Sequence, residues 1–317
     1  MTMRLSICIP TFNRAGLLRE TLDSIICQAR DALEIVVCDN ASSDATRELI
    51  QEYQGKFPRL TYFRWPENMG ADRNFLKTVE LATGDYCWLM GDDDHLEPGA
   101  LDLLFPLLDK GYGLIYANAT TYDNKMENPS GLTVRRFNCD DADQTLLSLS
   151  SWITFASSLC FRRSEFMKHL DLGLSKIGTN LVQCYPLLNL IRQGRSFIVQ
   201  ESLVRFRAGN TSGYGIFQVF IEEFGRLLEY GAQIGFSRAV VREVKTQNVY
   251  KVIVPSLLQI KLGRLDLKAE SIRSHLAGSG LRLREKLLLT ALASCPAAVV
   301  RGASRLRKML KGKVKTC

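Results

Sequence analysis

Three consecutive carboxylates, Asp92, Asp93 and Asp94, follow the apolar residues 86–90 after a single glycine. Charges of one sign held this close repel each other, and a folded chain tolerates them at a strand end mainly where a hard cation neutralises them. The cluster therefore indicates a site for a divalent metal. The alternative is that one aspartate caps a helix beginning near Pro98 while the others are solvated turn residues. The cluster alone does not decide between the two.

Polar residues also follow three earlier apolar runs, at residues 5–10, 33–38 and 60–65. Each run precedes a segment with helical spacing of apolar residues, and this alternation predicts a parallel sheet with helices on its faces. Ligands bind such sheets at the carboxyl ends of the strands, so we expect these residues to face one crevice together with the aspartates. This shared position favours the metal interpretation. The earlier polar residues are Thr11, Asn13, Asp39 and Asn68, and Gly70 follows the last of them closely.

The remaining chain predicts more strands and then a helical region. We expect strands at 114–117, 151–161 and 197–206, and a helix at 180–192. From residue 216 the pattern is helical, and Pro255 should kink or break the second helix of that region. The chain has no Gly-x-Gly-x-x-Gly or Walker-type loop, which are the usual signatures of dinucleotide and NTP binding.

Composition places the chain among ordinary globular proteins. Its 317 residues are 46% hydrophobic and 23% charged, and this length predicts roughly two domains. The nine cysteines lack the paired short spacings of zinc sites and the density of a disulfide scaffold, which favours a reducing compartment. The apolar run at 5–10 is too short for the core of a signal peptide. We therefore expect a cytoplasmic protein.

The positive charge is concentrated at the C-terminal end. Residues 235–317 contain 18 Lys and Arg against 4 Asp and Glu, so they carry +14 and the first 234 residues carry −6 of the total +8. Aromatic residues that could stack on bases are nearly absent there, which argues against nucleic acid. The apolar residues 287–300 are too few for a membrane span, which needs roughly 20 residues.

Basic residues flank this apolar segment on both sides, and Lys311, Lys313 and Lys315 follow it. This pattern predicts an interfacial segment on an anionic membrane surface. The alternative is a core helix that docks on the preceding helical region, with the basic residues simply solvated.

In their order along the chain, four motifs resemble those of the family 2 glycosyltransferases, which have the GT-A fold and use nucleotide-sugar donors. The Gly-Asp-Asp-Asp form is most similar to the abequosyltransferase-like branch, which is associated with bacterial surface polysaccharides such as O-antigen. The four motifs lie at residues 9–14 (IPTFNR), 37–46 (VCDNASSDAT), 68–74 (NMGADRN) and 88–94 (WLMGDDD).

The resemblance implies a role for each motif residue on the donor side. It assigns Pro10, Thr11 and Asn13 to the nucleotide pocket and Asp39 to the base, whose ring N–H a carboxylate accepts. It places Asn68 and Gly70 against the ribose or diphosphate, with Arg73 adding charge. For Asp44 we prefer a cap of the following helix, and Arg73 has the alternative of a surface ion pair.

The family's metal motif is usually Asp-x-Asp, and this sequence has Gly91 where the first aspartate often stands. Asp93 then takes the place of the metal ligand, Asp92 reaches toward the sugar or the metal's waters, and Asp94 is a further ligand. The implied ion is Mg2+ or Mn2+, which would bridge the donor diphosphate and neutralise charge on the leaving group. We interpret His95 as a partly exposed loop residue.

An inverting transfer also needs a general base for the acceptor hydroxyl. Many relatives carry an acidic residue at the start of the acceptor helix, whereas this chain has Asn180 there, which cannot act as a base. Asp171 and Glu201 are nearby carboxylates that could substitute. Trp152 and Tyr185 could stack on a sugar ring, although an aromatic residue in an apolar stretch more often belongs to the core.

These inferences together predict a metal-dependent inverting glycosyltransferase that moves a sugar from a nucleotide-sugar to a glycan acceptor, with the basic and apolar tail favouring a lipid-linked one. The enzyme would be peripheral at the inner face of the plasma membrane. The alternatives are a nucleotidyltransferase and a non-catalytic scaffold of a polysaccharide assembly complex. We expect residues 1–115 to form the donor-binding half of the GT-A domain, 116–215 the acceptor-binding half, and 216–317 a helical region.

Overall fold

A computed structural model describes residues 5–135, 139, 141–209, 215–263 and 272–302. Two sheets and a series of helices make up this part of the chain. The strands are β1 (Leu5–Thr11), β2 (Leu33–Asp39), β3 (Leu60–Arg64), β4 (Tyr86–Leu89), β5 (His95–Leu96), β6 (Leu114–Tyr116), β7 (Ala119–Tyr122), β8 (Pro129–Leu132), β9 (Leu159–Arg162), β10 (Ser196–Ile198) and β11 (Val204–Arg207).

The helices follow the same alternation in the first third of the chain and then dominate. They are α1 (Ala15–Ile26), α2 (Thr46–Lys56), α3 (Ala71–Leu81), α4 (Ala100–Leu108), α5 (Ala142–Leu149), α6 (Arg163–Met167), α7 (Leu170–Leu174), α8 (Cys184–Gln193), α9 (Phe224–Gln233), α10 (Arg238–Asn248), α11 (Val254–Lys261), α12 (Ile272–Leu276) and α13 (Leu283–Ser294).

The main sheet has seven strands in the order β10-β6-β9-β4-β1-β2-β3. Its neighbours pair in parallel except for β9, which lies antiparallel between β4 and β6. The predicted mostly parallel α/β sheet is therefore confirmed. Because β4, β1, β2 and β3 are adjacent and parallel, the loops that carry the four motifs emerge at one edge of the sheet.

Helices cover both faces of the main sheet, and alternate residues of each strand point to opposite cores. In β1, Cys8 packs in one buried cluster with residues of α3, α5 and α8. Its neighbours Ile7 and Ile9 pack in the other cluster with residues of α1, α2 and α4. A strand buried on both faces appears in sequence as a continuous apolar run, which is the pattern of residues 5–10.

The second sheet has four short strands in the order β5-β11-β7-β8. In it, β11 pairs antiparallel with β5 and parallel with β7. β5 begins at His95, directly after Asp94, so this pairing places β11 beside the carboxylate cluster.

The middle of the chain differs from the sequence expectation in three places. Instead of one strand at 151–161, the chain forms the 3-10 turns Ser150–Thr154 and Ala156–Ser158 before β9. The predicted strand at 197–206 is two strands, β10 and β11, which belong to different sheets. The predicted helix at 180–192 begins only at Cys184, and Asn180, with a φ of 57°, lies outside the right-handed helical region.

Pro255 does not break the helical region. The chain stays helical from α10 to α11, and a π-helical turn at Val249–Ile253 joins the two. Proline cannot donate the backbone hydrogen bond that a continuous α-helix needs, and the change of hydrogen-bond pattern falls immediately before it. The predicted interruption therefore takes the form of a π turn.

Helices α11, α12 and α13 share a third buried cluster with the start of the helical region. Leu289 of α13 is fully buried in it, and Lys261 Nζ donates to the backbone oxygens of Ala293 (2.8 Å) and Cys295 (2.7 Å) at the end of α13. On another face of α13, Leu283 and Leu287 are 73% and 61% exposed. No helix among the described residues is long and apolar enough to span a membrane. Lys311, Lys313 and Lys315 lie outside the described residues.

Candidate functional site

The carboxylate cluster forms the turn between β4 and β5. The backbone N–H of Gly91 donates to Ser157 Oγ (2.8 Å). A Cβ atom at position 91 would lie 3.0 Å from Asp93 Oδ1 and 3.2 Å from Asp94 Oδ2. An aspartate here would crowd both carboxylates, which gives a steric reason for glycine where the family motif often has its first aspartate.

Asp92 joins the end of β4 to the end of β1. Its side chain accepts hydrogen bonds from Thr11 Oγ1 (2.8 Å) and from Arg14 Nη1 (3.0 Å), and the residue is 6% exposed. Burial raises the pKa of Asp92 to about 6, against the opposing effect of the Arg14 charge. The predicted site residues Thr11 and Asp92 are therefore in direct contact.

Asp94 is held by two donors from distant parts of the chain. Ser157 Oγ donates to Oδ2 (2.5 Å) and the backbone N–H of Arg207 donates to Oδ1 (2.9 Å). Burial, with the neighbouring charge of Asp93, raises the pKa of Asp94 to about 7. Both of its oxygens bind protein groups, which is the geometry of a structural anchor and makes Asp94 a poorer candidate for a metal ligand than Asp93.

Asp93 is the most accessible carboxylate of the three, with 15% of its side chain exposed against 8% for Asp92. Arg14 Nη1 lies 3.3 Å from Asp93 Oδ2 and 3.0 Å from Asp92 Oδ1. One guanidinium group thus sits between the two carboxylates as their counter-ion. The alternative of solvated turn residues is wrong for Asp92 and Asp94, and α4 begins after Gly99 without any side-chain cap.

Arg207, which the sequence did not single out, fixes the other side of the cluster. Its side chain is 6% exposed, and Nε donates to the backbone oxygen of Asp93 (3.0 Å). Nη2 contacts Glu20 Oε2 (2.5 Å) and lies 3.1 Å from His95 Nε2. Burial, and then the charge of Arg207, lowers the pKa of His95. His95 lies in β5 rather than in a loop, and its pairing with Arg207 argues against a role as metal ligand.

Hydrogen bonds between side chains and loop backbone join the first two motifs. Asn13, at a φ of 53°, accepts from the backbone N–H of Ser43 through Oδ1 (2.6 Å). Asp44 Oδ2 accepts from the N–H of Ala15, at the start of α1, while Oδ1 accepts from the N–H of Thr46 in α2. Asp44 therefore binds the first turns of both helices, beyond the single following helix that we predicted.

Asp39, which we predicted to contact the nucleotide base, is buried and already binds protein groups. It is fully buried, Oδ1 accepts from the N–H of Ser42 (2.8 Å), and Oδ2 accepts from the hydroxyl of Tyr62 (2.7 Å). Arg64 Nε is 3.4 Å from the same Oδ2. A base could reach this carboxylate only if Tyr62 and Arg64 moved.

The third motif borders the same edge of the sheet. Asn68 is exposed, and its Oδ1 accepts from Asn40 Nδ2 (2.7 Å) and from the N–H of Gly70 (2.9 Å). Gly70 precedes α3 at a φ of 83°, a conformation that favours glycine. Arg73 is exposed and forms no hydrogen bond or ion pair within the described part of the chain. The surface ion pair that we considered as an alternative role for Arg73 is therefore not seen there.

Phe12 is a second residue that sequence reasoning missed. It lies between Thr11 and Asn13 and is 41% exposed, while Pro10 before them is partly buried in β1. An exposed aromatic ring beside the crevice is suited to stack on a planar base. Its signal in the sequence was its place inside the first motif, between two predicted site residues.

The acceptor side lacks a base at the expected position. Asn180 is exposed, and its N–H and that of Gly178 donate to Asp72 Oδ2. Asp72 is buried, and burial raises its pKa. The weak candidates Asp171, in α7, and Glu201, before β11, are both exposed, and neither contacts the carboxylate cluster within the described residues.

Comparison with known proteins identifies the family of the chain. The profile of "Glycosyl transferase family 2" matches residues 6–166. Abequosyltransferase RfbV of Salmonella typhimurium is 33% identical over 230 residues, which are 66% of this chain and 68% of that protein.

Two solved structures are similar over nearly the whole chain. S. aureus TarS 1-349 in complex with UDP-GlcNAc has a TM-score of 0.66 at 15% identity and covers 96% of this chain and 92% of its own. Mannosyltransferase PcManGT from Pyrobaculum calidifontis, in complex with GDP-Man and Mn2+, has a TM-score of 0.58 at 17% identity and covers 96% and 88%. These similarities identify the fold as GT-A.

Proposed function

The chain belongs to glycosyltransferase family 2, and on this premise we propose that it transfers a sugar from a nucleotide-sugar donor to a glycan acceptor in bacterial surface polysaccharide synthesis, with inversion at the anomeric carbon. The observation that carries the proposal is the carboxylate cluster at the edge of the sheet, where Asp92 and Asp93 share the cation Arg14. Membership of this family favours a glycosyltransferase over the alternative of a nucleotidyltransferase.

Donor binding falls to residues of the first three motifs. We assign base stacking to Phe12, the nucleotide pocket to Pro10, Thr11 and Asn13, and the diphosphate side to Asn68, Gly70 and Arg73. The exposure of Phe12, Asn68 and Arg73 at one edge of the sheet supports this assignment. Asp39 keeps the role of base acceptor only if the hydroxyl of Tyr62 gives up its bond.

The site suits a divalent ion with oxygen ligands, either Mg2+ or Mn2+. The fit rests on Arg14, whose guanidinium group shows that the oxygens of Asp92 and Asp93 converge on one cation. No cluster of three or more His, Cys, Asp or Glu side chains that could hold a metal occurs among the described residues, so the donor's phosphates and water would complete the coordination, as is common for Mg2+. The neighbour PcManGT was solved with Mn2+.

When bound, such an ion supplies positive charge that stabilises the departing nucleotide diphosphate. The protein's own residues prepare the site for it. Thr11 orients Asp92 at the end of β1, and Ser157 with the backbone of Arg207 holds Asp94 in place. Arg207 also binds the carbonyl oxygen of Asp93, so the turn that presents the Asp93 carboxylate is fixed from both sides.

The surface of α13 supports a lipid-linked acceptor and a peripheral position at the inner face of the plasma membrane. Leu283 and Leu287 are exposed one helical turn apart, and Arg282, Arg284 and Lys286 alternate with them along the chain. Apolar side chains surrounded by basic ones suit an interface of acyl chains and anionic head groups. α13 also docks on the third cluster through Leu289, so the interfacial and the core interpretation of this helix are compatible.

The test is turnover of a panel of nucleotide sugars in Mn2+ and in EDTA, with Asp93→Asn beside the wild type. We expect donor turnover that EDTA abolishes and that Asp93→Asn lowers by about 100-fold or more, since electrostatic stabilisation of a leaving group contributes several kcal/mol. Arg19→Gln, at an exposed ion pair on α1, is the control and should keep full activity. Full turnover in EDTA would refute the metal site, and retained anomeric configuration in the product would refute inversion.

A further inference from the structure

We propose that Trp152, together with Phe155 and Phe206, forms a subsite that binds a pyranose ring of the acceptor glycan. This inference rests on the proposed function, because it assigns the second substrate of the same site. It goes beyond the motifs, all of which lie on the donor side.

The three aromatic side chains form one cluster. The ring centroids of Phe155 and Phe206 are 4.6 Å apart, and Trp152 lies edge-on to both, at 6.2 Å from Phe155 and 6.5 Å from Phe206. All three are only partly buried. The cluster therefore combines a packed aromatic surface with access to solvent, as a sugar-binding surface requires.

The indole N–H of Trp152 distinguishes it from the other two tryptophans. Trp65 Nε1 donates to Asn74 Oδ1 (3.1 Å) and Trp88 Nε1 donates to the backbone oxygen of Ser157 (2.8 Å). Trp152 Nε1 has no partner within the described part of the chain, and it is not among the fully buried unpaired atoms found there. An accessible, unpaired indole N–H is free to donate to a ligand oxygen.

Two of the aromatic residues are close in sequence to residues that bind the carboxylate cluster. Phe155 lies two residues before Ser157, whose hydroxyl donates to Asp94 (2.5 Å). Phe206 immediately precedes Arg207, whose backbone N–H donates to the same carboxylate (2.9 Å). The segments that present the aromatic rings are thus the two segments that hold Asp94, so the backbone that carries Phe155 and Phe206 lies close to the turn that carries Asp93.

The chemistry of the cluster matches a carbohydrate better than a base or a lipid chain. A pyranose ring presents C–H groups on its faces and hydroxyl groups around its rim, so it needs an apolar surface beside a hydrogen-bond donor. Trp152 supplies both in one side chain. The other aromatic residue we considered, Tyr185, is 3% exposed and packs against Tyr230, which makes it a core residue.

The test measures nucleotide release from the wild-type donor as the methyl glycosides of glucose, galactose, mannose and rhamnose are added as acceptors. We expect Trp152→Phe, which loses the N–H, to raise the apparent KM for the active glycoside about fivefold. Trp152→Leu also loses the aromatic face and should raise it about tenfold or more. Donor KM and donor hydrolysis without acceptor should stay at wild-type values in both variants.

The control is Tyr112→Leu, which removes a half-buried aromatic ring from a stacked pair. Tyr112 precedes β6, so it lies at the amino end of that strand, away from the carboxyl ends where the motifs lie. This variant should leave the glycoside KM unchanged. An unchanged glycoside KM in Trp152→Leu would overturn the subsite, and so would a wild-type enzyme that turns over a nucleotide sugar but uses none of the glycosides. A wild-type enzyme that binds no nucleotide sugar would instead refute the proposed function itself.

Discussion

At the scale of single residues, the most consequential contact is the sharing of Arg14 between Asp92 and Asp93. The guanidinium group is 30% exposed and reaches both carboxylates with one nitrogen. A metal ion that used the same oxygens would have to displace it. In the proposed function the donor diphosphate would bring negative charge to the same place, and it would then give Arg14 a second partner once the guanidinium group leaves the carboxylates.

We expect Arg14→Gln to bind Mn2+ more tightly than the wild type when no donor is present, because the competing cation is gone. A partly exposed ion pair contributes up to about 1 kcal/mol, so the Kd should fall about threefold to fivefold. Electron paramagnetic resonance of free Mn2+ measures this directly. Arg19→Gln, on α1 five residues after Arg14 but paired with Glu52, is the matched control. Equal or weaker Mn2+ binding by Arg14→Gln would show that Arg14 does not compete for the site.

At the scale of elements, α13 presents two different faces. Leu289 and Glu285 are buried, and Glu285 accepts from Thr246 Oγ1 (2.8 Å) in α10. Leu283 and Leu287 point away from this contact and stay exposed. The helix is therefore anchored to the protein on one side, while its other side offers an apolar strip to a surface.

We expect the double variant Leu283→Ser with Leu287→Ser to bind anionic vesicles at least tenfold more weakly than the wild type, since burying each leucine contributes about 1.5 kcal/mol or more. Sedimentation with vesicles of phosphatidylglycerol and phosphatidylcholine is the measurement. The control is Leu103→Ser in α4, where the leucine is 46% exposed. If the double variant binds vesicles as tightly as the wild type, Leu283 and Leu287 of α13 do not contact the membrane.

Some secondary-structure elements of this chain could be predicted from local sequence and others could not. Strands β1 to β4 and the helices between them were predictable because each strand is a largely apolar run that ends at a polar motif, and β1, β2 and β4 are buried on both faces. The turns at Ser150–Thr154 were not, because an apolar segment with several small polar residues fits a strand and a compact turn equally well. Arg207 was not predictable at all, since its partner Asp94 lies 113 residues away.

At the scale of the whole molecule, the buried clusters offer a second boundary beside the one that we predicted at residue 215. The large cluster on one face of the sheet includes residues of α9 and α10 beside those of α5 and α8. A separate cluster begins only with Phe217 and Ile221 and continues from Val249 onward. We therefore propose that the GT-A unit extends through α10 and that the distinct part of the helical region starts after it.

Truncation distinguishes these boundaries. We expect a chain that ends at Asn248 to unfold cooperatively and to keep nucleotide binding, although with a lower Tm. A chain that ends at residue 215 should lose cooperative unfolding, because it exposes the apolar residues that α9 and α10 cover. Circular dichroism melting of both chains, beside the full-length protein, is the measurement. A cooperative transition in the shorter chain would support the boundary at 215 instead.

The antiparallel strand β9 determines the order in which the sheet is completed during synthesis. Strands β1 to β4 are contiguous in the chain and pair with one another, so they can assemble as soon as Leu89 has left the ribosome. β6 cannot join them at that point, because β9, which ends at Arg162, lies between β6 and β4 in the described sheet. The edge of β4 therefore waits unpaired while about 70 more residues are made, at roughly 5–20 residues per second, for several seconds in all. We therefore expect the nascent chain to expose an apolar strand edge that can pair with other chains during that interval.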